Sequence, residues 1–204
     1  MIRIITTLVL AVVASMISGC ANPINARTAQ NYYRFGVEAE RGGDLALASR
    51  NFSRAYGNAQ MGNLGPAAEA SYLYEYARVR GYAGSYAESE KAFLDVLALI
   101  DKAHGGGDRL RAPALAEYSR LLHDTGQHQK AIPVFERAAI ALDKTGIDSS
   151  DPIGYAEFLD DYADSLKLAG NMDRASAIAA RTATLRLGHE NERSHFQPRR
   201  YKSA

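Results

Sequence analysis

The sequence predicts an all-α chain, a right-handed α-solenoid of about four stacked helical hairpins behind a membrane-directed leader. Three observations carry the expectation. A glycine recurs at intervals of 41, 42 and 44 residues. Aromatic and small residues keep fixed distances from each of those glycines. The only cysteine follows an apolar run at the N-terminus. Self-similarity at a period of tens of residues is the sequence signature of stacked repeat units, each too small to bury its apolar face alone.

The leader comes first. Met1, Ile2 and Arg3 form a short positive start, and Ile4–Met16 is a mostly apolar run with small residues near its end. That pattern reads as a secretory signal, and it is shorter than the roughly 20 residues a spanning helix needs. The residues Ile17-Ser18-Gly19-Cys20 resemble the lipobox of bacterial lipoproteins. The resemblance implies cleavage before Cys20 and acylation of that residue. Two or more chains, at roughly 0.8 kcal/mol per buried methylene, anchor stably. Ala21 rather than Asp after the cysteine points by the same analogy to the outer membrane, facing the periplasm. With Cys20 so used, no internal disulfide or Cys-rich zinc site is available.

Of 24 basic residues only Arg3 lies in the leader, and the chain holds 23 acidic ones, so the mature protein is formally neutral. Nothing in that balance suggests a nucleic-acid partner. The mature part, about 185 residues, suits one compact domain or a short repeat array.

Four stretches then align without gaps: 32–55, 73–96, 115–138 and 159–182. In each, an aromatic (Phe35, Tyr76, Tyr118, Tyr162) precedes a small residue (Gly36, Ala77, Ser119, Ala163). Seven residues on stands Gly43, Gly84, Gly126 or Gly170, and five further Ala48, Ser89, Ala131 or Ala175. Phe52, Phe93 and Phe135 follow four later, with Ala179 in the last copy, and then Ala55, Val96, Ala138 and Thr182 at three. Glycine ends a helix cheaply in the left-handed conformation, small residues let two helices approach, and aromatics fill the space between pairs.

These copies resemble tetratricopeptide (TPR) repeats across about residues 28–187. Their spacing exceeds the usual period of about 34 residues and is similar to the longer repeats of kinesin light chain. The family's signature Trp is replaced by Tyr32, Leu73, Leu115 and Leu159. Four domains follow: a signal peptide over 1–19, lipidated Cys20 with a tether to 27, a TPR-like domain over 28–187, and a flexible polar and basic tail over 188–204. Asp151-Pro152 reads as an N-cap before a first-turn proline. Pro133 is expected in the first turn of its helix or at a slight kink. "HGGGD" and "TGIDSSD" read as loops.

Chemistry is sparse. His104, His123, His128, His189 and His195 contain no pair at metal-binding helical spacing, and "HGGGD" lacks the Lys-Ser/Thr of a phosphate loop. No cofactor, metal or catalytic residue is expected. The cluster Glu157, Asp160, Asp161 and Asp164 leaves one further alternative, an enzyme or metal binder, since paired acids do acid–base work when their environments separate their pKa values. Near a helix N-terminus, acids also simply favour the dipole.

The TPR resemblance implies that protein or peptide partners bind in a concave groove lined by the first helix of each pair. Position by position this nominates Tyr33, Val37 and Glu40 in copy one, Tyr74 and Arg78 in copy two, Arg120 and His123 in copy three, and Asp160, Asp164 and Lys167 in copy four. Arg78 and Arg120 are equivalent and could hold a carboxylate, whereas Asp164 reverses the sign. The family's Lys/Asn/Arg carboxylate clamp is not intact. The expected function is a membrane-anchored, non-catalytic scaffold in envelope, pilus or secretion assembly. A permanent structural subunit of such a machine is the alternative.

Overall fold

The computed structural model describes residues 22–195 and 198–201. The signal peptide and Cys20 lie outside the described residues. Among the described residues all regular structure is helical: α1 Pro23–Arg41, α2 Leu45–Met61, α3 Pro66–Tyr82, α4 Tyr86–Lys102, α5 Asp108–Asp124, α6 His128–Asp143, the short α7 Ile147–Ser150, α8 Pro152–Leu168 and α9 Met172–Arg186. Four hairpins result, α1/α2, α3/α4, α5/α6 and α8/α9, and each second helix packs on the next hairpin's first. First helices also touch along one side, α3 with α5 and α5 with α8, forming the concave wall.

The four turn glycines behave as their spacing predicts. Gly43, Gly84, Gly126 and Gly170 have φ between 75° and 82°. Around each, the next residue's N–H reaches back to a helix carbonyl: Asp44 to Ala39, Ser85 to Arg80, Gln127 to Leu122 and Asn171 to Leu166, at 2.8–2.9 Å. This repeated 6→1 bond is a Schellman closure, which satisfies carbonyls that the helix end would otherwise leave open.

Small residues and rings then build the stack. Ala77, Ser119 and Ala163 are buried, and the Phe52 ring sits so close to Gly36 that a Cβ there would lie 2.6 Å from Phe52 Cε1. Phe52, Phe93 and Phe135 are fully buried. Phe93 stacks on Tyr118 of the next hairpin (5.8 Å between centroids, 21° between planes), and Phe135 on Tyr162 (5.3 Å, 15°). The recurring pattern is therefore the seam between repeats. Phe35 departs from it. It is 47% exposed, because among the described residues no hairpin precedes α1 to cover it.

Four boundaries differ from expectation. Residues 23–27, expected in the tether, form the first turns of α1, because Asn22 caps it by accepting from the N–H of Ile24 (3.0 Å) and Pro23 suits the first position. Pro133 lies in the second turn of α6, and Pro113 sits equally deep in α5; both helices continue through them. The "TGIDSSD" segment contains α7 rather than being wholly loop. The tail is not free throughout, since Tyr201 is 1% exposed. The Asp151 cap stands as read, accepting from Gly154 N–H at 2.9 Å.

Candidate functional site

The concave wall is highly charged, and most of its charges are already engaged by the protein itself. Arg78 Nη2 donates to Glu40 and to Glu75, each at 2.7 Å, and its side chain is 21% exposed. Burial opposes the guanidinium's charge, but Glu75 and Glu40 outweigh it and hold the group more firmly protonated than an ordinary arginine. Arg120 is more deeply placed: its side chain is 7% exposed and donates to Glu117, itself 3% exposed, at 2.7 Å. Neither arginine is therefore free to grip a partner's carboxylate, as the repeat register suggested. Each serves a glutamate three positions upstream on its own helix, and Arg78 also ties α3 to α1.

The other nominated residues divide. Tyr33 packs on Phe52 and Tyr72, both at 5.8 Å, and Val37 packs beside Phe52, so both serve the first two hairpins. Tyr74 packs edge-on to Phe93 (6.3 Å). Burial, aided by Glu117, raises the Tyr74 hydroxyl well above its ordinary value. His123 Nδ1 lies 2.8 Å from Ser165 Oγ, and its Nε2 is 3.7 Å from Asp161. Asp160 pairs with Arg186 (2.5 Å), and Asp164 with Lys167 (3.1 Å) on the exposed surface.

The acidic run that raised an enzymatic alternative is thus dispersed among different partners. Asp161 accepts from Arg200 and Asp160 from Arg186. Its members lie in the second turn of α8 and beyond, past the reach of the helix's N-terminal dipole. Among the described residues no group of three metal-ligating side chains assembles, and no helix is long and apolar enough to cross a membrane.

A cavity of about 690 Å³ opens on the concave side between α5, α7, α8 and the tail. Tyr74, Arg120 and Asp160 are the nominated residues that line it. The lining residues not nominated for the groove include Arg109, from the start of α5, and Glu157, from α8. Both are exposed, and no ion pair engages either among the described residues. Among the described residues, one wall therefore offers a cation and the other an anion with no ion-pair partner in contact, although Glu157 also acts electrostatically on Arg186. The nominated residues lie further along the first helices because the repeat alignment was anchored on the turn glycines, whereas the open part of the groove is at the opposite ends of α5 and α8.

The remaining stretch of groove is filled by the chain's own tail. Tyr201 stacks on Tyr82 at 4.7 Å, and its hydroxyl donates to Glu117 at 2.7 Å. Its N–H donates to Asp124 at 2.7 Å. Arg200 donates to Asp161 (2.6 Å) and Asp124 (2.5 Å), bridging the third and fourth hairpins. Arg78 and Arg199 lie over the Tyr82 ring at 5.4 and 5.2 Å. Burial, with Glu117, pushes the Tyr82 hydroxyl up to about 12 and raises that of Tyr201 well above its ordinary value. Nearer the cavity's other end, Ser194 Oγ and the His195 N–H both donate to Asp151 at 3.2 Å.

Comparison with known proteins agrees with this architecture. Residues 68–140, from α3 through most of α6, match the tetratricopeptide repeat family. No curated protein sequence matches the chain. The crystal structure of BtubC (BKLC) from P. vanneervenii is similar in fold, with a TM-score of 0.69 and 17% identity over 86% of this chain and 69% of that one. A kinesin-light-chain-type protein of Podosopora anserina with nearly identical TPR-like repeats superposes at 0.65, with 15% identity over 84% of this chain and 80% of its own. The fold is a TPR-like α-solenoid, and the long-period resemblance seen in the sequence extends to the solved kinesin-light-chain-type repeats.

Proposed function

We propose that this chain is a membrane-anchored scaffold that holds a protein partner in its concave groove at the bacterial envelope. TPR-like repeats build protein–protein interaction scaffolds, and extended concave surfaces are what such stacks present. The observation that carries the reading is the 690 Å³ cavity with Arg109 and Glu157 on facing helices and no ion pair to either among the described residues. A groove whose other charges are internally matched leaves those two for a ligand, so the partner segment presents one acidic and one basic group to it.

The anchor is the second part of the proposal. Cys20, after Ile17-Ser18-Gly19, accepts the acyl chains, which hold the solenoid at the outer-membrane surface on the periplasmic side. Pilus, secretin or other envelope assembly is the setting this suggests. Two measurements test the parts separately. Cys20→Ser should abolish incorporation of labelled palmitate and move the chain from the membrane to the soluble fraction. A chain that stays membrane-bound without label sinks the anchor. Affinity capture of the tagged full chain from membranes should recover a protein that an Arg109→Glu/Glu157→Lys variant loses. Equal recovery by the variant moves the interface out of this cavity.

A further inference from the structure

Tyr201 is 1% exposed yet belongs to a segment, 198–201, with no regular secondary structure. An irregular segment so deeply seated needs a prepared place, and the groove supplies one. Gly81 is small where the ring passes: a Cβ there would lie 2.7 Å from Tyr201 Cδ1. The aromatic face is Tyr82, the hydroxyl acceptor is Glu117, and the guanidinium acceptors are Asp124 and Asp161.

Two of the three carboxylates are also held by groups outside the tail. Glu117 spends its other oxygen on Arg120, and Asp161 faces His123. Those two keep a partner when the tail leaves, whereas Asp124, whose side chain is 5% exposed, loses its contacts to Arg200 and the Tyr201 N–H and is left to receive a competing guanidinium. Arg200 retains 35% exposure, so its hold on the two aspartates is open to exchange with solvent and competitors.

We infer that the pockets filled by Arg200 and Tyr201 are a recognition site for an extended protein segment carrying arginine followed by an aromatic residue, and that the tail is its resident competitor. A partner with that pair enters by displacing residues 198–201. It then continues into the adjoining cavity, whose wall includes Pro198 and Arg200 and therefore widens as the tail departs. A diacid pair reads the guanidinium, and the Tyr82–Gly81 slot reads the ring. Lysine in place of arginine would lose the forked contact to two carboxylates. The inference rests on the scaffold reading and assigns the chemistry of its partner.

A labelled peptide of sequence PRRYKSA, residues 198–204, is the probe, titrated by fluorescence anisotropy into the full mature chain. A tethered competitor acts at an effective concentration on the order of millimolar. The peptide should therefore bind the Arg200→Ala/Tyr201→Ala variant at least about tenfold more tightly than the wild type. Alanine at the second arginine of the peptide should abolish that binding, as should Asp124→Asn/Asp161→Asn added to the variant. Circular dichroism establishes that the variant is folded. Should it not fold, Tyr201→Phe keeps the ring and removes only the bond to Glu117, and peptide affinity should still rise roughly tenfold over wild type. Equal affinity for wild type and a folded variant, or no binding to either, overturns the inference. A wild-type chain that dimerises by exchanging tails assigns the site to a second copy and also overturns it. Because the titration needs no partner, its failure leaves the scaffold reading to the capture experiment.

Discussion

Replacing Glu117 with alanine isolates the polar centre of the groove. Its carboxylate is 3% exposed and accepts from Arg120, which is 7% exposed, at 2.7 Å. It also accepts from the Tyr201 hydroxyl at 2.7 Å. Removing one member of so deep a pair leaves an uncompensated buried guanidinium, at a cost of about 3–5 kcal/mol. In a chain of this size each kcal/mol moves the melting temperature by about 2–4 °C, so Glu117→Ala should melt about 6–20 °C below wild type. The double variant Glu117→Leu/Arg120→Met replaces the pair with apolar groups of similar volume and should recover most of the loss. Thermal melting by circular dichroism reads all three proteins. Two results would refute the reasoning. A single variant within about 2 °C of wild type means the pair is solvated. A double variant as poor as the single means the loss came from packing and not from stranded charge.

Further outcomes follow from the same geometry. Gly126 has φ 75°, so Gly126→Val should cost at least about 1–2 kcal/mol, and unchanged melting would contradict the hairpin turn. Phe135→Ala, at a fully buried inter-repeat stack, should cost about 3–5 kcal/mol in urea unfolding, whereas Phe35→Ala on the uncovered first helix should stay within about 0.5. Gly81→Ala should cost about 1–3 kcal/mol by crowding Tyr201 and Ser89 Oγ, and less in a chain that also carries Tyr201→Ala, where only the Ser89 contact remains. Burial, and then the neighbouring His123, lowers the His128 pKa below its ordinary 6.5. Its contribution is therefore fully present above that value and is lost as pH falls through the folded pKa. Melting at about pH 8 and about pH 5 should show a smaller acid loss for His128→Gln than for wild type, and an equal loss would contradict it.

Much of the solenoid was legible because its determinants are local or strictly periodic. The turn glycines announced their left-handed backbone, and the Phe and Tyr positions eight residues before and nine after them marked the seam. The groove was legible only in part. Arg78 and Arg120 stood at equivalent positions, but their occupation by Glu40, Glu75 and Glu117 depends on side-chain reach that periodicity does not encode. The docking of Tyr201 against Glu117 joins residues 84 positions apart through a polar segment with no repeat signal. Its composition read as a solvated end. Arg109 fell outside the aligned window altogether, and Glu157 was visible only as one acid among four. The start of α1 was missed because the repeat copies begin at residue 32, while the capping Asn22-Pro23 pair lies ten residues upstream.

Site-specific photo-crosslinking tests the central claim most directly, which is that a protein partner occupies the concave groove. A photoreactive amino acid at position 157, inside the cavity, would be compared with one at position 94, on the half-exposed outer surface of α4. Illumination of membranes carrying the full chain should yield a discrete crosslinked protein from position 157 and none from position 94. The same product from position 94 alone, with position 157 silent, would contradict the account and place the partner on the opposite face.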